Sequence, residues 1–283
     1  MGTPVSIIVW RYHKPQHFGS DLEVEIEKAT DIPIGAPKLR ALGKDEPSAD
    51  TLVSFVRLPQ AWLRDCDLNH HDFCAPGHGQ QTLPKRLISV QHSKKVNIIE
   101  TAGLDPAKTK YFAFSHKWGD NMPPEAVTTK QNFDKRKLKI PPDDLPSSFK
   151  HAIEMTRALK CDYLWIDSLC ILQGPDGDFD DQADKMQSTF SGAYCVLAAC
   201  HAQGAKDGFL QARKSRCVHI NDVAVSPVTN DFERDVLRSP LQGRGWVLQE
   251  RALARRTIFF TETQMYWECG HGIRCETLEK LKK

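Results

Sequence analysis

No stretch of the sequence approaches the 18 or more consecutive apolar residues that a membrane-spanning helix needs. The apolar start at residues 5–10 is too short, and has the wrong flanking residues, for a secretory signal. These absences argue against a membrane-spanning or secreted protein. We therefore expect a cytoplasmic location and no membrane span.

The sequence also lacks an excess of charge of either sign, since 38 Lys and Arg face 36 Asp and Glu for a formal net charge of +2. Such a balance creates no long-range field that would attract nucleic acid to the surface. A Walker loop, a Gly-x-Gly-x-x-Gly turn and an RNA-recognition signature are all missing. We therefore expect no nucleic-acid partner and no tightly bound cofactor.

Paired Cys-x-x-Cys spacing is absent as well, although the chain has nine cysteines. Without a secretion signal, these cysteines are predicted to be thiols or metal ligands rather than disulfides. Two short clusters combine them with histidines: Cys66, His70 or His71, Cys74 and His78 form the first, and Cys269, His271 and Cys275 the second. Sulfur and imidazole suit tetrahedral zinc. One interpretation is a structural zinc on Cys66, His71 and Cys74, or shared between the clusters; the other is a set of solvent-exposed thiols and histidines.

With 283 residues and 40% hydrophobic content, the chain can form one elaborated domain. Residues 1–82 are uneven and contain a polar stretch, so they are predicted to be an N-terminal appendage to a main domain at 83–283. In the main domain a hairpin is predicted at 86–101, strands at 111–115, 163–166 and 194–199, helices at 147–159, 178–191 and 245–253, and a closing hairpin at 257–268. This alternation predicts an α/β fold: a parallel sheet flanked by helices, with a C-terminal β-hairpin.

Five segments, in this order, resemble the fungal heterokaryon-incompatibility (HET) domain family. They are LPKRLISV at 83–90, YFAFSHKWGD at 111–120, YLWIDSLCILQ at 163–173, RGWVLQERALARR at 244–256 and MYWEC at 265–269. The resemblance implies a role in programmed cell death when self and non-self meet. HET domains are in turn thought to be remotely similar to Toll/interleukin-receptor (TIR) domains, which implies a TIR-like, flavodoxin-like sheet.

The TIR resemblance also implies a site. RGWVLQE resembles the TIR segment in which a Trp is followed four residues later by a catalytic Glu, which gives Glu250 the catalytic place in an NAD+ glycohydrolase (NADase). In an open parallel sheet, ligands bind beyond the carboxyl ends of the strands. Phosphates would be held by basic residues and loop N–H groups, and a ring of the ligand would stack on a Trp. The candidate substrate-binding residues are Ser115, His116, Lys117, Trp118, Asp167, Arg244 and Trp246.

Each of these residues also has a plainer interpretation. Glu250 could be a solvated helical charge paired with Arg251 or Arg255, and Asp167 could cap a turn or bind an arginine. Trp side chains are more often core than stacking platforms.

Two functions therefore remain open for the whole chain. An effector enzyme would act as a homo-oligomer on activation, downstream of a sensor protein, with Glu250 facing a concave pocket. A non-enzymatic signalling module would act by homotypic assembly and leave Glu250 on a flat or salt-bridged surface.

Overall fold

The computed structural model of the chain describes residues 7–10, 49–70, 74, 82–92, 95–120, 122–211, 218–220, 223–227, 231–276 and 280–281. Its strands are β1 (Ile7–Trp10), β2 (Arg86–His92), β3 (Lys95–Glu100), β4 (Tyr111–Ser115), β5 (Tyr163–Trp165), β6 (Cys195–Ala199), β7 (Val218–Ile220), β8 (Val223–Pro227), β9 (Arg256–Phe260), β10 (Met265–Cys269), β11 (Gly272–Cys275) and β12 (Lys280–Leu281). Its α-helices are α1 (Ala49–Asn69), α2 (Phe133–Leu138), α3 (Ser147–Ala158), α4 (Asp167–Cys170), α5 (Phe179–Ala183), α6 (Met186–Gly192) and α7 (Val247–Leu253). Short 3-10 turns at Pro124–Ala126, Pro142–Asp144 and Pro240–Gly243 and a π-helical turn at Glu233–Leu237 complete the elements.

The main sheet has nine strands in the order β3-β2-β5-β4-β6-β9-β10-β11-β12. Its four central strands, β5-β4-β6-β9, are parallel to one another. Along the chain these are the second, first, third and fourth strands of the parallel set, which is the flavodoxin-like order. The β2–β3 hairpin adds antiparallel strands beside β5, and β10 to β12 extend the opposite edge. The predicted α/β class and both predicted hairpins are confirmed, within a sheet that is mixed rather than wholly parallel.

The central strands are buried on both faces. Every residue of β4, β6 and β9 is buried, as expected where segments cover both sides of a parallel sheet. Because side chains alternate along a strand, β10 contributes to two cores: Met265 and Trp267 join the larger one, and Tyr266 joins a smaller one. The smaller core also contains Val247, which anchors α7 to the sheet.

Helix α1 is an element that the sequence analysis did not predict. Phe55, Trp62 and Leu63 on this helix belong to the larger core, and the helix packs against α3 and β10. Pro59 lies inside it. Residues 49–69 therefore share the core of the sheet, while the domain boundary placed between residues 82 and 83 stays a prediction. A separate three-stranded sheet pairs β1, β8 and β7.

The helix predicted at 178–191 is divided into α5 and α6. Asp178 precedes α5, since its carboxylate accepts hydrogen bonds from the buried Arg86 guanidinium at 2.6 and 2.7 Å and from the Leu172 backbone at 2.9 Å. A tightened turn follows, in which the Lys185 N–H donates to the Gln182 carbonyl at 3.0 Å. Among the described helices, none is long and apolar enough to cross a bilayer.

Candidate functional site

Three segments bring the predicted site residues together at the carboxyl ends of the parallel strands. Ser115 ends β4, Asp167 begins α4 directly after β5, and Glu250 lies in α7. The Ser115 hydroxyl donates a hydrogen bond of 2.5 Å to Glu250 Oε2, although 135 positions separate the two residues in the sequence. The strand order reverses between β4 and β6, so this cluster borders the place where open α/β sheets bind ligands.

Glu250 is a buried carboxylate with a raised proton affinity. Its residue exposure is 3%. Burial raises the pKa of its carboxyl group and nearby Asp167 adds to the effect, whereas Arg244 and the Ser115 hydrogen bond oppose it. Arg244 Nη1 lies 3.9 Å from Glu250 Oε1. A carboxylate in this setting can change its protonation state nearer to neutral pH than a solvated one.

The interpretation of Glu250 as a solvated charge paired with Arg251 or Arg255 is wrong. Arg251 is turned to Glu268, with an Nε–Oε2 distance of 2.7 Å. Arg255 donates to backbone carbonyls, including that of Ser191 at 3.0 Å. Both arginines are therefore engaged away from the Glu250 carboxylate.

Asp167 joins the loops around Glu250. Its Oδ2 accepts hydrogen bonds from Trp118 Nε1 at 2.9 Å and Arg244 Nη2 at 3.1 Å. Its Oδ1 accepts one from the Ser168 backbone at 2.7 Å. Arg244 also donates to the His116 carbonyl. Asp167 thus binds Arg244, as the plainer interpretation proposed, and accepts a hydrogen bond from the N–H of the next residue, while the cap position of α4 is Ile166.

His116 is packed as a neutral ring. It stacks on Phe114 with ring centroids 4.8 Å apart and meets Phe149 edge-on at 5.0 Å. Burial lowers the pKa of His116 to about 4, even though Asp167 Oδ1 lies 3.9 Å from its Nε2. Within the described residues neither ring nitrogen has a hydrogen-bond partner. The backbone carbonyl of His116, rather than its side chain, holds Arg244.

The loop that follows β4 is fixed by the loop that follows β6. Gly119 has φ +74°, and a Cβ atom there would lie 2.9 Å from the Cα atom of Gly204. The Ala205 N–H donates to the Trp118 carbonyl at 3.1 Å. A glycine is required at position 119 both for the backbone conformation and for this close approach. The contact holds the Trp118 indole where it reaches Asp167.

Two predicted residues lie outside this network. Trp246 is 48% exposed and therefore belongs neither to the core nor to the cluster around Asp167. Lys117 is partly exposed and forms no ion pair within the part of the chain that the structure describes. Both side chains are free to meet a ligand or another chain.

Two surface cavities of the described part lie elsewhere. One, of about 240 Å³, is lined mainly by residues 123–125 and 143–147. The other, of about 550 Å³, lies along residues 57–69 of α1. Glu250 lines neither, and its low exposure means that a ligand reaches it only after neighbouring side chains move.

The predicted Cys/His clusters meet across the fold. Cys66, His70, Cys74 and Cys269 are all buried, and their ligand atoms lie within 4.8 Å of one another. The interpretation as solvent-exposed groups is therefore wrong for these four. His71 and His78 lie outside the described residues.

Comparison with known proteins gives one match. Residues 111–250 match the family model described as heterokaryon incompatibility protein (HET). No curated protein and no solved structure gave a significant match. The matched stretch begins at the first residue of β4 and ends at Glu250, so it contains every residue of the network described above. The similarity to TIR domains stays a prediction.

Proposed function

This chain is a HET-domain protein, and on that premise we propose that it is an effector of cell death that hydrolyses NAD+ at the nicotinamide–ribose bond. A HET domain implies a role in heterokaryon incompatibility. The cleavage of NAD+ is the activity that we propose for that role. One observation carries it: Glu250 is a buried carboxylate, hydrogen-bonded to Ser115 at 2.5 Å, at the carboxyl ends of the parallel strands.

The reaction needs a carboxylate in this kind of setting. As the bond between ribose C1′ and the nicotinamide nitrogen breaks, the electron pair leaves with neutral nicotinamide and positive charge develops on the ribosyl group. The Glu250 carboxylate would stabilise that charge, more strongly in a buried site than in water. A water molecule then attacks C1′ and releases a proton, which gives ADP-ribose. The Ser115 hydroxyl would orient the carboxylate and favour its ionised form.

Arg244 is the group best placed to bind the pyrophosphate. The Arg244 side chain is 19% exposed, and its guanidinium already lies between two carboxylates, 3.1 Å from Asp167 and 3.9 Å from Glu250. A phosphate could replace Asp167 as a bidentate partner of this guanidinium. That exchange would release Arg244 from Asp167 and so loosen one of the contacts that close the site around Glu250.

Self-association would supply the opening movement. The segment that carries Glu250 exposes Trp246 at 48% and Leu248 at 72%, which are large apolar groups of the kind found at protein interfaces. We propose that an upstream sensor protein brings copies of the chain together through this surface. The closed arrangement around Glu250 would then correspond to the inactive monomer.

The same closed arrangement favours a second candidate function. If Glu250 stays hydrogen-bonded and buried in the assembled state, the network of Ser115, Asp167, Arg244 and Glu250 is structural. The protein would then transmit a death signal by homotypic assembly alone, as a non-enzymatic module.

The two functions separate on NAD+ consumption by the purified full chain at high concentration, with and without a crowding agent. The parent protein is expected to release nicotinamide, measured by chromatography. Glu250→Gln preserves shape but removes the charge, and is expected to lower the rate at least about 100-fold.

Glu233→Gln is the matched control, because the Glu233 side chain is 64% exposed and pairs with Arg238 on the surface. It should retain the parent rate. Intact NAD+ with the parent protein in every assembled state would reject the enzyme and leave the signalling module.

A further inference from the structure

The cluster formed by Cys66, His70, Cys74 and Cys269 has the arrangement of a metal site. The His70 N–H donates to the Cys66 carbonyl at 3.1 Å, and the Cys74 N–H donates to the His70 carbonyl at 3.0 Å. Each bond joins residues four positions apart, which is the spacing that brings side chains to one face of a helical turn. Cys269, the last residue of β10, meets that face with its Sγ 3.5 Å from His70 Nδ1.

The distances suit tetrahedral coordination. All four ligand atoms lie within 4.8 Å of one another, whereas four ligands around zinc, with Zn–S of about 2.3 Å, lie about 3.8 Å apart. A small decrease in the distances between the four ligand atoms would bring them to tetrahedral zinc geometry. We propose that Cys66, His70, Cys74 and Cys269 bind one structural zinc ion. Three sulfurs and one imidazole favour zinc over oxygen-seeking cations such as Mg²⁺ or Ca²⁺.

A carboxylate lies behind the histidine of the cluster. With Nδ1 of His70 facing the sulfurs, its Nε2 lies 3.9 Å from Asp65 Oδ2. Arg274 holds that carboxylate in place at 2.7 Å. A carboxylate behind a metal-bound imidazole fixes the ring orientation and increases its basicity.

Nearby arginines balance the charge of the site. Zinc with three thiolates carries one negative charge in excess, and an unpaired charge in the interior is costly. Arg255 and Arg256 are close enough to interact electrostatically with the cluster sulfurs, and Arg255 Nη1 donates to the Cys74 carbonyl at 3.3 Å. These guanidinium groups would offset the excess negative charge of a zinc ion bound by three thiolates.

Other buried cysteines of the chain differ from the cluster, because burial alone does not bring several ligand atoms together. Cys161, Cys170 and Cys195 are also buried, but none of them belongs to a described group of convergent ligands. Their thiols are core groups, whereas the proposed ligands come from two parts of the chain about 200 positions apart. Zinc would therefore tie α1 to β10 of the main sheet.

The first test is the metal content of the full chain purified without chelator, by inductively coupled plasma mass spectrometry. One zinc per chain is expected in the parent protein. Replacement of zinc by Co²⁺ should give the d–d bands of tetrahedral cobalt and a thiolate-to-cobalt charge-transfer band. Parent protein that holds no zinc and shows no such bands with Co²⁺ would overturn the proposal.

Paired variants then identify the ligands. Cys269→Ala and His70→Ala should lose the zinc. Cys161→Ala and His71→Ala remove a thiol and an imidazole that are not proposed ligands, and should keep it. If a ligand variant fails to fold, alkylation of the parent protein provides the test instead. Zinc binding by all four ligands predicts that the thiols of Cys66, Cys74 and Cys269 resist alkylation until a chelator is added. Rapid alkylation of all three with metal present would contradict the assignment. The NAD+ assay is separate from these readouts, so either proposal can fail alone.

Discussion

Arg244 is the residue on which the electrostatics of the site depend. It lies between Asp167 and Glu250 and is held by the His116 carbonyl. Its positive charge lowers the pKa of Glu250, against the larger effect of burial. The protonation state of Glu250 therefore reflects a competition that a single substitution can change.

Replacing Arg244 by methionine removes the opposing charge, so the pKa of Glu250 should rise further. A ¹³C NMR titration of the labelled glutamate side chain measures this shift whether or not NAD+ is cleaved. Arg238→Met is the control, since Arg238 pairs with the exposed Glu233. An unchanged Glu250 titration in Arg244→Met would show that Arg244 does not set its charge state.

At the level of single residues, the sequence supplied the members of the site but not their contacts. Ser115, Asp167, Arg244 and Glu250 were all candidates, and the structure brings them together. Trp246 was a candidate too, yet it is 48% exposed. It directly precedes α7, and the sequence does not tell whether a side chain at that position faces the core or the solvent. The choice between His70 and His71 depends on helical phase, which the sequence left open.

Helix α7 presents two different faces to its surroundings. Glu250 and Val247 are turned inward, while Leu248 is 72% exposed. A short helix with one face in the site and an apolar group on the other can couple assembly to movement of the carboxylate. If copies of the chain associate through this face, as proposed, α7 is the element that would transmit the contact to the carboxylate.

Leu248→Asp should prevent concentration-dependent association without unfolding the chain. An exposed side chain away from the core contributes within about 0.5 kcal/mol to stability, so the thermal midpoint should stay close to that of the parent protein. Sedimentation velocity measures the association. Leu138→Asp is a matched control, because Leu138 on α2 is also 72% exposed; equal association of all three proteins would exclude this face of α7.

Elements determined by their own residues could be predicted from the sequence, whereas elements that depend on contacts with distant residues could not. The strands at 111–115 and 195–199 are continuous apolar runs, which buried parallel strands require. Helix α1 was missed because Pro59 interrupts its pattern, and a proline normally ends or kinks a helix. Asp178 stays outside α5 and binds Arg86, 92 positions away, and no local pattern reports such a contact.

For the whole molecule, two buried histidines make stability sensitive to acid. Burial lowers the pKa of both His116 and His151 to about 4, from the ordinary value of 6.5. His151 Nδ1 accepts hydrogen bonds from the Phe209 and Leu210 backbones at 3.0 and 3.1 Å. A proton on that nitrogen would remove both bonds, so the fold requires the neutral ring.

Stability should therefore be complete above pH 6.5 and fall as the pH is lowered towards 4. Over that range the unfolded chain binds two protons that the folded chain excludes, which costs about 1.4 kcal/mol per pH unit for each. The raised pKa of Glu250 acts in the opposite direction but involves one proton. Urea denaturation between pH 7 and 4 measures the slope, and His151→Gln should reduce it by one proton. A flat profile would mean that both histidines titrate normally.

The hydrogen bond between Ser115 and Glu250 spans 135 positions of the sequence, and this has a consequence for synthesis. A ribosome that has produced β4 and β5 must still add β6 and the segment up to α7 before the carboxylate exists. Contacts of such separation also slow folding, because the entropy cost of closing the loop comes before the contact is made. A nascent chain, or a fragment cut before residue 250, therefore carries the loops of the site without its acid. If the chain cleaves NAD+ as proposed, no partial product of translation that ends before α7 would have that activity.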